Sequence, residues 1–127
     1  MEYTKENGVV ILSITEADLN DPRSTSQVLE GLLKDEGETK FVADVSKVQN
    51  IYSIQIGTLV TMHVMCYENV AVMKLAGAND RVKNLLRMVG LEALMELHHG
   101  ASIAAESFGN MASAPRNAPT DPRLNKR

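Results

Sequence analysis

Several short segments of the chain are continuous apolar runs, the pattern expected of buried strands. One such run follows Asn7 and Gly8, and Asn-Gly between extended segments is a strong signal for a tight hairpin turn. We therefore predict that residues 2–5 pair with residues 9–14. The predicted buried strands lie at 9–14, 40–45 and 70–76, with a last short strand at 94–97.

Apolar residues at helical spacing separate these strands. The spacing is clearest after residue 79, where four apolar side chains fall on one face and Asn79 or Asp80 can cap the helix start. Gly90 then suits a left-handed helix ending. The four apolar residues of this face are Val82, Leu85, Leu86 and Val89, and further helices are predicted from Pro22 to Gly37, over 53–67 and over 101–108.

The order of these elements is ββαβαβαβα. Strands that alternate with helices form a largely parallel sheet with crossover helices. The sequence therefore predicts an α/β fold, with a mixed and mostly parallel sheet that opens on an antiparallel N-terminal hairpin.

Composition divides the 127 residues into one domain and a tail. Residues 110–127 hold three of the four prolines, show no periodicity and carry four basic residues against one acidic residue. We predict that they form a disordered basic tail and that residues 1–109 form the domain. Because the whole chain has a net charge of −3 and the tail contributes +3, the domain carries −6. This charge argues against a nucleic-acid-binding surface.

The lone cysteine, Cys66, excludes an internal disulfide and a thiolate zinc cluster, and it suits a reducing compartment. No apolar run approaches the roughly 18 residues of a membrane span. The first six residues do not have the basic-then-apolar order of a signal peptide. The expectation is a cytoplasmic protein without membrane insertion.

No constellation of residues points to catalysis. His63 lies among apolar residues of a predicted helix, and His98 and His99 are adjacent, so on a strand they face opposite ways and cannot share a metal ion. Cys66 has an apolar context without a nearby base, which is typical of an inert thiol. Neither phosphate-binding glycine motif occurs. We therefore expect neither an enzyme nor a bound metal or cofactor.

Three local motifs resemble the STAS domain family, which includes bacterial anti-sigma factor antagonists, stressosome scaffolds and domains of anion transporters. The first is the strand and turn at 41–48, with the sequence FVADVSKV. The second is the apolar helix that begins at Ser53 and contains Gly57. The third and most specific is the segment 75–91, with its closing Gly-Leu turn. The resemblance extends from about residue 9 to residue 108.

The resemblance implies a single STAS-like domain that binds proteins and has no catalysis of its own. In the family, the antagonist captures an anti-sigma factor that is also a serine kinase, and the kinase phosphorylates a serine in an Asp-Ser-Ser-Gly motif. The matching residues here are 52–55, so the resemblance makes Ser53 the phosphoacceptor. The resemblance also implies that a partner binds around the same helix start, through Tyr52, Ile54, Gln55 and Thr58.

Other interpretations remain open at this point. Ser53 can act as an unmodified helix cap. The altered motif also fits a structural STAS module that binds other STAS proteins in a stressosome-like or transporter-associated complex without phosphate control. A third class, a small enzyme or ligand-binding protein, would need a deep pocket lined by Asp18, Asp44 and a histidine, beside the polar segment 15–21.

Overall fold

The computed structural model describes residues 1–113, with side chains as far as residue 109. The first four residues of the predicted tail continue the last helix, and 114–127 lie outside the described residues. The strands are β1 Glu2–Glu6, β2 Val9–Ser13, β3 Lys40–Asp44, β4 Val72–Ala76 and β5 Leu97–His98. The helices are α1 Glu16–Leu19, α2 Pro22–Glu30, α3 Ser53–Glu68, α4 Asp80–Met88 and α5 Ala101–Ser113.

The five strands form one sheet in the order β1-β2-β3-β4-β5. β1 and β2 are antiparallel, and the other three pairs are parallel. Asn7 and Gly8 both have positive φ, 52° and 81°, as a two-residue hairpin turn requires, and Glu6 faces Val9. The predicted α/β class and the hairpin-opened, mostly parallel sheet are confirmed. β1 and the two-residue β5 form the two edges of the sheet.

Helices cover both faces of the sheet, because successive strand residues point to opposite sides. α1 to α4 pack on one face and bury the large aliphatic core, in which Leu12, Phe41 and Leu75 are fully buried. α5 packs on the other face with Ala104 and Phe108. This arrangement leaves the outer surfaces of α3 and α4 together on one side of the molecule.

The short helix α1 was not predicted, since four residues are too few for a periodic pattern. Its start is a capping box: the hydroxyl of Thr15 accepts from the N–H of Asp18, and the Asp18 carboxylate accepts from the N–H of Thr15 at 2.9 Å. The polar segment 15–21 is therefore ordered.

The strand predicted at 94–97 is largely wrong. Residues Leu91–Ala93 form a 3-10 turn, and β5 begins only at Leu97. Leu91 and Met95 are both buried, whereas Leu94 is half exposed. In a strand Ala93 would share the face of Leu91 and Met95, but Ala93 is exposed, so the burial has the period of a helical turn.

Candidate functional site

The loop at 45–51 leads from β3 to α3 and is held from both sides. On one side, the backbone N–H of Gln49 donates to the Glu16 carboxylate at 2.9 Å. On the other, the Asn79 side chain donates to the Gln49 carbonyl at 3.2 Å and Arg81 donates to the Asn50 side chain at 2.7 Å. α1 and α4 therefore fix the place at which α3 begins.

Tyr52 is the N-cap of α3, with the extended backbone of that position (φ −123°, ψ 174°). The side chain of Gln55 accepts from the Tyr52 N–H at 2.8 Å and donates to Asn20 at 3.3 Å. Ser53 is consequently the first helical residue. The alternative in which Ser53 is the helix cap is wrong, because Tyr52 occupies the N-cap position and the Gln55 carboxamide bonds to its backbone.

Gln55 and Thr58, which were predicted to lie on the docking face, are each only 2% exposed. The Thr58 hydroxyl donates to the carbonyl of Leu19 at 2.7 Å and lies 3.1 Å from the carbonyl of Ile54. The expected exposure of these two side chains is therefore wrong: both turn inward, where their polar atoms find partners in and beside α1. Their role is to position the helix.

Three of the predicted residues do lie together on the surface, and we call Tyr52, Ser53 and Ile54 the N-terminal patch. Tyr52 is 64% and Ile54 is 58% exposed, large values for apolar side chains. Ser53 is also exposed, and its hydroxyl makes no hydrogen bond to any residue that the structure describes. The hydroxyl is accordingly open to a partner or to modification.

The patch continues along α3 as an uncharged surface. Between Ser53 and Tyr67 the helix contains no lysine, arginine, aspartate or glutamate. A helix face in contact with water normally carries such residues. We call the exposed positions at spacings of three and four the outer face of α3, and they are Ile54, Gly57, Thr61 and Val64.

Two features shape this outer face. A Cβ added at Gly57 would meet no atom within 4 Å, so the glycine leaves an open shallow position in the middle of the helix. Tyr67, at the end of the helix, is 77% exposed. The sequence reasoning missed Val64 and Tyr67, although the lack of charge along 53–67 was a signal that could have identified them.

The remaining candidate residues lie apart from the N-terminal patch. Cys66 is buried, which raises the pKa of its thiol to about 12. His98 lies 2.9 Å from the Glu96 carboxylate. Within the described part of the chain, no three His, Cys, Asp or Glu side chains are grouped closely enough to hold a metal ion.

Among residues 1–109, none of the five main pockets is lined by Asp18, Asp44 and a histidine together, as the ligand-binding alternative requires. The Asp18 carboxylate is engaged by Thr15, and Asp44 accepts from the N–H of Ser46 at 3.0 Å. A pocket does lie beside Asp44, but its lining contains no histidine. As for membrane association, no helix among residues 1–113 is long and apolar enough to cross a bilayer.

Comparison with known proteins reveals similarity at the level of structure alone, since neither known family descriptions nor curated protein sequences match the chain. A stressosome structure, described as a signal integration and transduction hub, matches 89% of this chain and 100% of its own, with a TM-score of 0.79 and 17% identity. A variant of RsbS from Moorella thermoacetica matches 88% of this chain and 99% of its own, with a TM-score of 0.73 and 21% identity.

A third similar structure is a protein from Thermotoga maritima provisionally assigned as an anti-sigma factor antagonist. It matches 84% of this chain and 92% of its own, with a TM-score of 0.66 and 18% identity. The chain thus has the fold shared by these proteins, which is the STAS fold implied by the sequence motifs.

Proposed function

We propose that this chain is a STAS-type bacterial regulator that acts in the cytoplasm by binding another protein through the N-terminal patch and the outer face of α3. The partner we propose is an anti-sigma factor that is also a serine kinase, so that binding releases a sigma factor and regulates transcription. The single observation that carries this proposal is the uncharged, exposed surface that runs from Tyr52 to Tyr67.

The surface has the composition of a protein interface. The core of such interfaces is enriched in aromatic and aliphatic side chains and depleted in charged ones. Tyr52 and Tyr67 stand at the two ends of the exposed helix, and Ile54 and Val64 lie between them. Exposing these groups to water is unfavourable, and a partner that covers them removes this cost.

Ser53 provides a means of ending the complex. Its side chain is exposed and it lies in the first turn of α3, where backbone N–H groups without helical partners and the positive end of the helix dipole favour a phosphate. The charge of about −2 on that phosphate would be buried against the partner if the complex persisted. Phosphorylation of Ser53 therefore releases the partner without unfolding the domain.

The similar structures support the class of function through their fold. They include a stressosome component and a provisionally assigned anti-sigma factor antagonist. The proposed activity requires only binding, and any phosphoryl transfer is performed by the partner on Ser53.

Binding is tested with a matched pair of variants and a kinase-type anti-sigma factor. Ile54→Asp places a charge in the N-terminal patch. The control is Ile103→Asp on α5, on the other face of the sheet, because Ile103 is 53% exposed and Ile54 is 58% exposed. We expect Ile54→Asp to weaken binding by at least tenfold in calorimetry and Ile103→Asp to bind as the wild type does. Equal binding by the two variants would refute the assigned surface.

The switch is tested by incubating the chain with the kinase and labelled ATP. Wild-type protein should take up one phosphate and Ser53→Ala none, while Ser102→Ala, which removes an exposed hydroxyl from α5 outside the proposed docking surface, should label normally. Label that persists in Ser53→Ala would overturn the assignment of the acceptor.

A second function, a structural STAS module that binds other STAS proteins, is favoured by the residues around Ser53. Tyr52, Ile54 and Gln55 replace the acidic and small residues of the family motif, and a stressosome chain aligns over 100% of its own length with 89% of this chain. This alternative predicts large complexes with other STAS proteins by light scattering, unchanged in Ser53→Ala. A monomer that captures only the kinase would argue against it.

A further inference from the structure

A small cavity lies at the carboxyl ends of β4 and β5, beside α4, away from the outer face of α3. Its volume is about 160 Å³. Four of the residues that line it are basic and none is acidic, although the domain as a whole is acidic. The lining includes Ala76, Ala78, Lys83, Arg87, His98 and His99.

The fold itself brings these basic groups together. Lys83 and Arg87 are one helical turn apart on α4, so they lie on the same side of the helix although their charges repel. His98 and His99 come from the end of β5, which is paired in parallel with β4. The carboxyl ends of parallel strands are the edge at which α/β proteins bind small ligands.

Nearby carboxylates only partly balance these charges. Glu92 accepts from Arg87 at 3.1 Å, and Glu96 accepts from His98 at 2.9 Å and lies 3.2 Å from Lys74. Neither glutamate lines the cavity. The permanently charged cations in and beside the cavity are Lys74, Lys83 and Arg87, and the carboxylates are Glu92 and Glu96. Together with His98 and His99, these side chains have a net charge of +1 when both imidazoles are neutral and +3 when both are protonated.

Two of the lining side chains retain unused donors. Neither Lys83 nor His99 makes a hydrogen bond or an ion pair with another described residue. A lysine ammonium carries three donors and an arginine guanidinium five, and both form their strongest hydrogen bonds with oxyanions. The cavity thus offers donors from two elements to a single bound group.

We propose that this cavity binds a small tetrahedral oxyanion, of the phosphate and sulfate class, held by Lys83 and Arg87, with His98 and His99 beside it. Its volume of about 160 Å³ is large enough for one such anion. The site is independent of the proposed docking surface, and it would give the domain a response to anion concentration.

Sulfate is the best probe, since its charge is constant between about pH 6 and pH 8. The histidine ring signals of the full chain are followed by NMR while sodium sulfate replaces sodium chloride at constant ionic strength. We expect saturable shifts of the His98 and His99 signals. The signal of His63, which lies on α3 and does not line the cavity, should not shift comparably. Inorganic phosphate should give the same pattern.

Lys83→Gln removes one donor cation at little cost to the helix, because glutamine and lysine have similar helix propensities. We expect it to weaken sulfate binding about tenfold, equivalent to about 1.4 kcal/mol. Lys47→Gln, a change of the same kind at an exposed loop position, should leave the affinity unchanged. Circular dichroism verifies that both variants are folded.

The imidazoles add a second measurement. The charged side chains near the two imidazoles are the cations Lys74, Lys83 and Arg87 and the carboxylates Glu92 and Glu96. A bound sulfate adds negative charge, so the affinity should be higher at about pH 6 than at about pH 8, and His99→Gln should reduce this difference. The proposal would be overturned if the histidine signals shifted linearly with sulfate concentration and shifted equally with added sodium chloride. Equal sulfate affinity in Lys83→Gln and Lys47→Gln would also overturn it.

Discussion

The hydroxyl of Thr58 in α3 donates a hydrogen bond to the carbonyl of Leu19 in α1 at 2.7 Å, across 39 residues of sequence. Leu19 is fully buried, so water could not take the place of the Thr58 hydroxyl as a donor to its carbonyl. The bond joins the predicted docking helix to the polar segment that precedes α2. It explains why a threonine lies inside an otherwise apolar region.

Thr58→Val keeps the shape of the side chain and removes the donor, leaving the Leu19 carbonyl without its partner. We expect a loss of about 1–3 kcal/mol in the free energy of unfolding. Urea denaturation measures it. Thr61→Val is the control, because the Thr61 hydroxyl is exposed and bonds only within its own helix; similar losses in the two variants would contradict the role of the buried bond.

Gln55→Leu removes the side chain that bonds to the Tyr52 N–H and to Asn20. The unfolding free energy should fall by about 1–2 kcal/mol, as for loss of a helix cap. The amide of Tyr52 should also exchange with deuterium faster, because it loses its acceptor. Gln27→Leu, at an exposed site in α2, should change neither quantity much. Unchanged exchange at Tyr52 in the Gln55 variant would show that this cap is not formed.

Val70 is a β-branched residue in the left-handed region, with φ of 55°, and its side chain is 89% exposed. That conformation costs about 1–2 kcal/mol for a residue with a Cβ, which exceeds the entropic penalty of glycine, about 0.5–1 kcal/mol. Val70→Gly should therefore raise the melting temperature. Val72→Gly, within β4, should lower it. A lower melting temperature in both variants would exclude strain at Val70.

The buried thiol of Cys66 should be inert in the folded protein. Its pKa is raised to about 12 by burial, so almost no thiolate exists near neutral pH. A thiol-specific chromogenic reagent at about pH 8 should react only after urea unfolds the chain. Rapid labelling of the native protein would show that the thiol is reached without unfolding.

The fold was predictable because its main signals are local. Asn7 and Gly8 determine the hairpin, and Gly90 ends its helix with φ of 79°, as the sequence predicted. Signals at the end of the domain were ambiguous: the apolar residues between Leu91 and Leu97 suit a strand or a turn, and only packing distinguishes them.

The candidate site was only partly predictable, for a different reason. Tyr52, Ser53 and Ile54 are exposed, as a docking face requires, but Gln55 and Thr58 are buried. The partners of these two side chains lie 35 and 39 residues earlier, so no local pattern reveals which way they turn. Polar residues on a helix are expected to face water, unless the tertiary fold supplies a buried partner.

The two edges of the sheet differ in what they offer to an incoming chain. β5 has only two residues, too short a template for another strand to pair with. β1 has five exposed residues, but three of them, Glu2, Lys5 and Glu6, are charged. Charged side chains on an edge strand disfavour pairing with the edge strand of another copy. Copies of this domain are thereby protected from fibrillar stacking, and higher-order association is left to the helical layers.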